Sequence, residues 1–214
     1  MTVLGIDPGF TGALVLVSTN VSTSTNVTEK KNYLSSYSSY PCTDPLRTWS
    51  MPVDQLDGGR QLDWLRLGSL LAMIRRQYAP DLCYLEEIPD GWSADPIGED
   101  ESLTQYRDKY PHLRKVSTTM KLAKQFGALC MGLASWKYTW HTVMPRTWQA
   151  FYGIHATDYK STKEAAREKC AELWPEVYES TFLTARGTYH DGIGDAALIA
   201  LYGQSIELSH QEVA

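Results

Sequence analysis

Four carboxylates stand at positions where their chemistry could be used together. Asp7 and Glu86 each close an apolar run, and Asp191 and Asp195 are four residues apart. Residues at that spacing share one face of a helix. Carboxylate oxygens are the ligands that Mg²⁺ and Mn²⁺ prefer, and a pair of such ions activates water and stabilises the leaving oxygen in phosphodiester hydrolysis. The set therefore predicts a metal-dependent nuclease.

Each of these acids, taken alone, also has an ordinary structural explanation. Asp7 precedes a Pro-Gly pair and would suit a turn, while Glu86 would suit a solvated strand end. The two C-terminal acids would suit a helix N terminus, where the macrodipole favours negative charge. Glu87 competes with Glu86, because side chains alternate along a strand and only one of the two can face Asp7. We favour Glu86, which lies in register with the apolar run.

The elements that would carry these acids follow from the hydrophobic pattern. Apolar runs predict strands at 2–7, 12–18, 49–53, 82–86 and 141–144, and the first two suit a hairpin because the link 9–12 is short. Apolar residues at helical spacing predict helices at 62–78, 117–138, 161–174 and 193–202. Ser117 or Thr118 would cap the second helix, and a capping box beginning at Ser161 would start the third.

This order predicts one α/β domain over residues 1–214, with an antiparallel β-β-β start and parallel additions. A polar insertion near 19–45 and a long loop near 88–116 interrupt it. The four cysteines are scattered and predict buried thiols, not a zinc or disulfide framework. No apolar run reaches membrane-spanning length, and the N terminus lacks the pattern of a secretion signal. We therefore expect a cytoplasmic or nucleoid-associated protein with no membrane partner.

Charge is distributed unevenly, although the formal net charge is only −5. Residues 81–101 hold eight acids and no Lys or Arg, whereas residues 107–169 hold twelve Lys or Arg against four acids. A basic block beside an acidic one suits a phosphate-binding surface next to a metal site, although solvated helix faces look similar. The candidate DNA contacts are Lys121, Lys124, Lys163 and, in the long loop, Arg107, Lys109, Arg114 and Lys115.

Six motifs in chain order resemble those of RuvC-like Holliday junction resolvases. They are Gly5–Gly12, Tyr84–Ile88, Ser117–Gly127, Val143–Trp148, Ser161–Arg167 and His190–Leu198. The last resembles the HDG-x-x-DA motif of the phage and organellar branch, in which the two acids are four residues apart. The bacterial housekeeping enzymes space them by three, so the match to those enzymes is weaker here. The long loop 88–116 also departs from the usual length, which puts substrate choice in doubt.

The resemblance implies an RNase H-like fold with a mixed five-stranded sheet. It implies that Asp7, Glu86, Asp191 and Asp195 are the catalytic metal ligands, holding two Mg²⁺ ions for which Mn²⁺ would substitute. Glu87 and His190 would have supporting roles, with His190 either near the scissile phosphate or merely beside a helix cap. The family further implies a homodimer that nicks a four-way DNA junction symmetrically, in recombination and repair. A phage-encoded protein acting in a host cytoplasm fits the same branch.

Other functions remain open at this point. One is a broader branched-DNA or flap endonuclease. Another is an ATPase of the actin and sugar-kinase type, whose N-terminal motif is similar. Against it, Pro8 stands inside the motif here, and the chain is too short for the two lobes of those ATPases. A third is a junction-binding protein without catalysis, for which four retained acids would serve no purpose.

Overall fold

A mixed β-sheet between two helical layers forms the centre of the molecule. The computed structural model describes residues 1–18, 46–56, 59–88, 116–154 and 159–211. The insertion expected at 19–45, nearly all of the loop at 88–116, and Cys42 lie outside these residues. The described strands are β1 (Thr2–Ile6), β2 (Ala13–Ser18), β3 (Arg47–Ser50), β4 (Val53–Leu56), β5 (Gly59–Leu62), β6 (Leu82–Glu86) and β7 (Trp140–Val143).

The described helices are α1 (Trp64–Tyr78), α2 (Val116–Ser135), α3 (Pro145–Phe151), α4 (Tyr159–Leu173), α5 (Tyr178–Phe182) and α6 (Asp191–Gln211). The central sheet has the strand order β3-β2-β1-β6-β7. The β1, β2 and β3 strands are antiparallel, whereas β6 pairs in parallel with β1 and β7 pairs in parallel with β6. The mixed five-stranded sheet expected from the sequence is confirmed.

The central strands β1 and β2, and most of β6, are apolar because both faces of the sheet are covered there. Leu4 and Ile6 of β1 pack against α1 and α2, in a cluster with Leu71 and Leu133. Val3, which precedes Leu4 in the strand, points to the opposite cluster, which contains α6 together with residues of α3, α4 and α5. Alternation along each strand thus supplies two cores from one sheet. Helix α6 is buried on most sides, since it packs across β1, β2 and β6.

The third strand and the region after it differ from the expectation. The predicted strand 49–53 runs across Pro52, which has no N–H to give to a ladder. The chain therefore leaves the central sheet after Ser50 and begins a separate hairpin, in which β4 pairs antiparallel with β5. Leu62, expected in the first helix, lies in β5. Helix α1 starts at Trp64 because the Asp63 carboxylate caps it, accepting from the N–H of Arg66 at 2.9 Å.

Helix boundaries also move. Helices α2 and α4 begin at Val116 and Tyr159, so Ser117 and Ser161 lie within the first turns and not at the caps. The family resemblance would place Gly127 at a close helix contact, but its Cβ position faces open space, and it is Gly132 that packs on Leu71. Helices α3 and α5 were not predicted, because each is only one or two turns long.

The tightest contact between layers lies at Gly5. A Cβ built there would be 2.0 Å from the carbonyl oxygen of Ala196 and 2.6 Å from the backbone nitrogen of Ala200. Strand β1 and helix α6 approach this closely because no side chain separates them. The position of α6, and hence of Asp191 and Asp195, depends on this contact.

We predict that Gly5→Ala destabilises the protein by about 3 kcal/mol or more, because its methyl group would meet backbone atoms that cannot yield. Gly68→Ala, in α1, is the matched control: its Cβ would meet nothing within 4 Å. Removing a glycine from a helix interior stabilises by about 0.5–1 kcal/mol. Chemical denaturation of both variants measures the difference. Equal stabilities would contradict the close β1–α6 contact.

Candidate active site

Two strand ends and one helix start meet at a single edge of the sheet. Ile6 of β1 pairs with Leu85 of β6 in a parallel ladder, so Asp7 and Glu86 leave the sheet side by side. The start of α6 reaches the same edge through a bridge between Gly12 and Gly192. A Cβ at Gly192 would lie 2.0 Å from the carbonyl oxygen of Thr11, so the helix start rests directly on the β1–β2 loop.

The acids at this edge interact strongly. Burial and the negative charge of Asp7 raise the pKa of Glu86 to about 8, against the lowering effect of a hydrogen bond from Trp148. Burial raises the pKa of Asp195 well above its usual range, with further contributions from Asp7, Glu86 and Asp191. Lys163 acts in the opposite direction on Asp195 without cancelling the rise. Like charges at a partly buried site favour the protonated forms, unless a cation compensates them.

Asp7 is held by the loop that follows it. The N–H of Gly9 donates to Asp7 Oδ1 at 2.9 Å, and the N–H of Gly12 donates to the Gly9 carbonyl at 2.9 Å. The Gly9 carbonyl also accepts from the side-chain amide of Gln125, at 3.2 Å. Gln125 is 1% exposed and lies on α2, so it ties this helix to the loop that orients Asp7. Its Oε1 atom is buried without a partner among the described residues.

Glu86 and Asp191 have partners of different kinds. The indole Nε1 of Trp148 donates to Glu86 Oε1 at 3.0 Å, and Trp148 is 1% exposed. The Lys163 ammonium forms an ion pair with Asp191. An indole is a neutral donor that leaves the negative charge of Glu86 uncompensated, whereas Lys163 brings a positive charge into the acidic cluster.

Trp148 and Gln125 were not predicted as site residues. The motif containing Trp148 was noted, but a buried tryptophan is usually a core residue. Its role follows from the parallel pairing of β6 with β7, in which Glu86 lies beside Val143, and from the immediate start of α3 at Pro145. The sequence gives no comparable signal for Gln125.

His190 caps α6. Its Nδ1 atom accepts from the N–H of Ile193 at 3.3 Å, and its carbonyl accepts from the N–H groups of Ile193 and Gly194. Of the two roles considered for His190, the structure shows the one at the helix cap. Glu87 follows β6, where its N–H donates to the carbonyl of Val143 at 2.8 Å. The register argument for Glu86 over Glu87 agrees with the hydrogen bond from Trp148.

The predicted basic residues fall into three groups. Lys163 lies within the acidic cluster, closer to the carboxylates than a general phosphate contact would be. Lys124 is exposed and Lys121 half-buried on α2, and Gln125 turns inward directly after Lys124. Ala123, expected on the apolar face, is exposed. Arg107, Lys109, Arg114 and Lys115 lie outside the described residues.

The carboxylates form an electrostatic cluster without being a compact ligand shell. Within the described ranges, no three His, Cys, Asp or Glu side chains are arranged to hold an ion as they stand. Hard oxygen donors with raised pKa values are nevertheless the donor set that a divalent cation would stabilise. Among the helices that the structure describes, none has the length and apolar character needed to cross a membrane.

Comparison with solved structures identifies the fold. A T. thermophilus RuvC in complex with a Holliday junction substrate is 13% identical, with 98% of this chain and 96% of that chain covered and a TM-score of 0.50. The chain has a RuvC-like fold. A second Thermus thermophilus RuvC structure is 14% identical, with coverages of 98% and 97% and a TM-score of 0.48.

No protein-family model matches the sequence. No curated protein matches it either. At 13% identity, the structural similarity shows a RuvC-like fold and nothing about chemistry, which depends on the side chains at the site. The RNase H-like class expected from the sequence is confirmed, as is its flanked, mixed five-stranded sheet.

The raised pKa of Glu86 predicts a pH-dependent stability in metal-free buffer. A carboxyl group with a pKa near 8 in the folded chain and an ordinary value of 4.5 favours folding most below pH 4.5. That contribution is lost as the pH rises from about 4.5 through about 8. Glu86→Gln cannot ionise, so its stability does not fall with rising pH for this reason. We expect its free energy of unfolding to exceed that of wild type by about 1–2 kcal/mol at pH 9 and to differ less at pH 5.

Thermal or urea unfolding with EDTA between pH 5 and pH 9 measures this difference. Glu87→Gln removes the same charge one residue further along and is the control. If both variants gained stability equally with pH, the cause would be general surface charge and not the buried position of Glu86.

Proposed function

We propose that this chain is a metal-dependent endonuclease that resolves four-way DNA junctions by hydrolysing phosphodiester bonds. The observation that carries the proposal is the meeting of Asp7, Glu86, Asp191 and Asp195 at one edge of a RuvC-like fold, where burial and the neighbouring acids raise the pKa values of Glu86 and Asp195. Clustered carboxylates of this kind weaken folding unless a cation binds between them. A T. thermophilus RuvC with the same fold is in complex with a Holliday junction substrate, which favours branched DNA as the substrate class.

The proposed ligands are the four carboxylates, and Mg²⁺ is the proposed ion, with Mn²⁺ as its substitute and two ions per site. Bound there, Mg²⁺ would supply an activated water and would neutralise charge on the phosphate and the leaving 3′ oxygen. The chain's own residues hold the carboxylates in place. Gly9 fixes Asp7 and Trp148 fixes Glu86, each through one hydrogen bond near 3 Å. Such outer contacts orient ligands before an ion arrives.

Lys163 has two proposed functions in succession. In the metal-free chain its ammonium offsets part of the negative charge through Asp191. When a DNA strand reaches the site, the same ammonium is placed to contact the phosphate beside the carboxylates. Lys121 and Lys124 of α2, with Arg107, Lys109, Arg114 and Lys115, are proposed as further phosphate contacts that position the junction. A homodimer, with one such site per subunit, would account for paired symmetric nicks.

The alternatives are weaker in different ways. A flap or general branched-DNA nuclease would use the same carboxylates, so it is a variant of this proposal that substrate comparison separates. An ATPase of the actin and sugar-kinase type needs two lobes, whereas the described residues form one central sheet. A junction-binding protein without catalysis leaves the raised pKa values of Glu86 and Asp195 without a purpose.

The first test is Asp7→Asn, which keeps the shape of the side chain and removes its charge. We expect nicking of a synthetic four-way junction with Mg²⁺ to fall by more than about 100-fold, because a direct ligand is lost. Asp81→Asn is the matched control: Asp81 accepts from the Thr2 N–H at 2.7 Å, beside the opposite end of β1. Nicking by Asp7→Asn at the wild-type rate would exclude the proposed role of Asp7.

The second test addresses the link from α2 to Asp7. Gln125→Leu removes the amide that donates to Gly9, so the loop that orients Asp7 loosens, and we expect nicking to fall roughly 10- to 100-fold. Gln204→Leu is the control. Gln204 is 0% exposed, donates from Nε2 to the Met1 carbonyl at 2.9 Å and has an equally unpartnered Oε1 among the described residues.

Gln204 follows Asp195 by about 14 Å along α6. Both substitutions remove one buried amide, so similar losses of stability are expected from both. A fall in junction nicking is expected from Gln125→Leu alone. Equal nicking rates in the two variants would show that Gln125 supports only the fold.

A further inference from the structure

A cavity of about 380 Å³ is lined by residues of the two segments that follow Asp7 and precede Asp191. The β1–β2 loop forms one wall with Phe10, and His190, the residue before Asp191, forms another. Met51, after β3, and the β4–β5 hairpin complete the lining. The cavity and the acidic cluster thus share two structural elements, the loop that holds Asp7 and the start of α6. A molecule in the cavity would contact the same loop and the same helix start that hold Asp7 and Asp191.

The lining combines an apolar interior with a polar rim. Met51 is 4% exposed and Phe10 is half-buried, and together they offer an apolar surface with one aromatic ring. Gln55 and Arg60 are exposed at the rim and Asp54 is half-buried there. Such a site, with a few converging polar groups around an apolar centre, is typical of small-molecule recognition.

We infer that this cavity receives one nucleobase of the DNA strand that crosses the carboxylates. The inference rests on the proposed function, since it requires that strand to be there. An unpaired base has a flat π face for Phe10 and a hydrogen-bonding edge for Gln55 and Arg60. At about 380 Å³ the cavity lies at the small end of the range for ligand pockets, which suits one nucleotide and not a longer segment.

The charge of the rim argues against a phosphate as the occupant. The rim carries the carboxylate of Asp54 as well as the guanidinium of Arg60, and Asp54 already pairs with Arg66 at 3.7 Å. A phosphate could use only the guanidinium of Arg60, whereas a base edge carries both donors and acceptors and can use Asp54 as well. The phosphates of the same strand therefore belong at Lys163 and the carboxylates, and the base belongs in the cavity.

This assignment gives the β4–β5 hairpin a function. The hairpin pairs only within itself and lies outside the central sheet. It supplies Asp54, Gln55 and Arg60 to the cavity rim. A base drawn into the cavity leaves the stack, which costs least at an unpaired position such as a branch point. The cavity would thereby select the nucleotide at which a strand is cut.

The test is a scan with single abasic sites at each position around the branch point of a four-way junction. Binding is measured in EDTA by fluorescence anisotropy, so it does not depend on cleavage. We expect wild type to bind about 10-fold more weakly to the junction whose abasic site lies next to the cleavage position. In that junction no base is present to fill the cavity. For the double variant Phe10→Leu, Arg60→Ala, the same abasic site should change affinity by about twofold or less.

Arg76→Ala is the control. Arg76 lies over the Trp136 ring at 5.4 Å, in the last turn of α1, which leads to the start of β6. Its loss removes one positive charge at the end of the sheet away from the carboxylates, so the wild-type abasic profile should remain. A second probe, 2-aminopurine at the sensitive position, should become brighter on binding to wild type, because it leaves the DNA stack that quenches it, and should change less on binding to the double variant.

Three results would overturn the inference: no junction binding in EDTA, a flat abasic profile in wild type, or a sensitive position that the double variant retains. Failure of the proposed function looks different. In that case the wild-type protein with Mg²⁺ nicks no junction at any position, while the binding profile in EDTA still reports on the cavity.

Discussion

Mutual repulsion among partly buried carboxylates is the interaction on which the rest of this structure depends. Asp195 and Glu86 have pKa values raised by burial and by their acidic neighbours. Clustered carboxylates destabilise a fold, and neutral groups in their place would stabilise it. Groups with strongly shifted pKa values are therefore concentrated at functional sites. The surrounding structure compensates only in part. Trp148 gives Glu86 one hydrogen bond and Lys163 gives Asp191 one positive charge, so the negative charge of the cluster is offset only in part.

The fold meets this constraint through close backbone contacts. Gly5 lets α6 lie against β1, and Gly192 lets the start of that helix touch the β1–β2 loop. Any side chain at either position would push Asp191 and Asp195 away from Asp7. The acids are therefore placed by two strand ends and a helix start, and the link from Asp7 to β2 is short. Gln125 extends the arrangement to α2, the helix that also carries two candidate DNA contacts, so a strand held at Lys121 and Lys124 would be connected to Asp7 through one hydrogen bond.

One edge of the sheet thus joins three features: four carboxylates proposed as metal ligands, a lysine paired with one of them, and a cavity lined by the residue before Asp191. Phosphate chemistry and base recognition make opposite demands, since one needs charge and the other needs an apolar surface with a polar rim. The β1–β2 loop separates them, with Asp7 on one side and Phe10 on the other. The β4–β5 hairpin enlarges the second region without disturbing the first.

The sequence by itself determined the strands of the central sheet and the acids at their ends, because local patterns of apolar and acidic residues indicate both. Apolar runs end at Asp7 and Glu86, and the spacing of Asp191 and Asp195 is helical, so strand ends and a helix start could be named. The polar partners were decided only by the tertiary structure. Trp148 and Gln125 are 62 and 116 residues from the groups that they contact, and nothing in their neighbouring residues signals it.

The hairpin after Ser50 was missed for a related reason: Pro52 ends one strand, but only pairing in space shows that two more follow. Helix boundaries moved because burial against the sheet extends helices such as α6 beyond their apolar pattern, to Gln211. Local sequence thus fixes which residues prefer strand or helix and where charge is concentrated. Contacts between distant segments decide which of those charges meet, since they depend on how closely the backbones can approach.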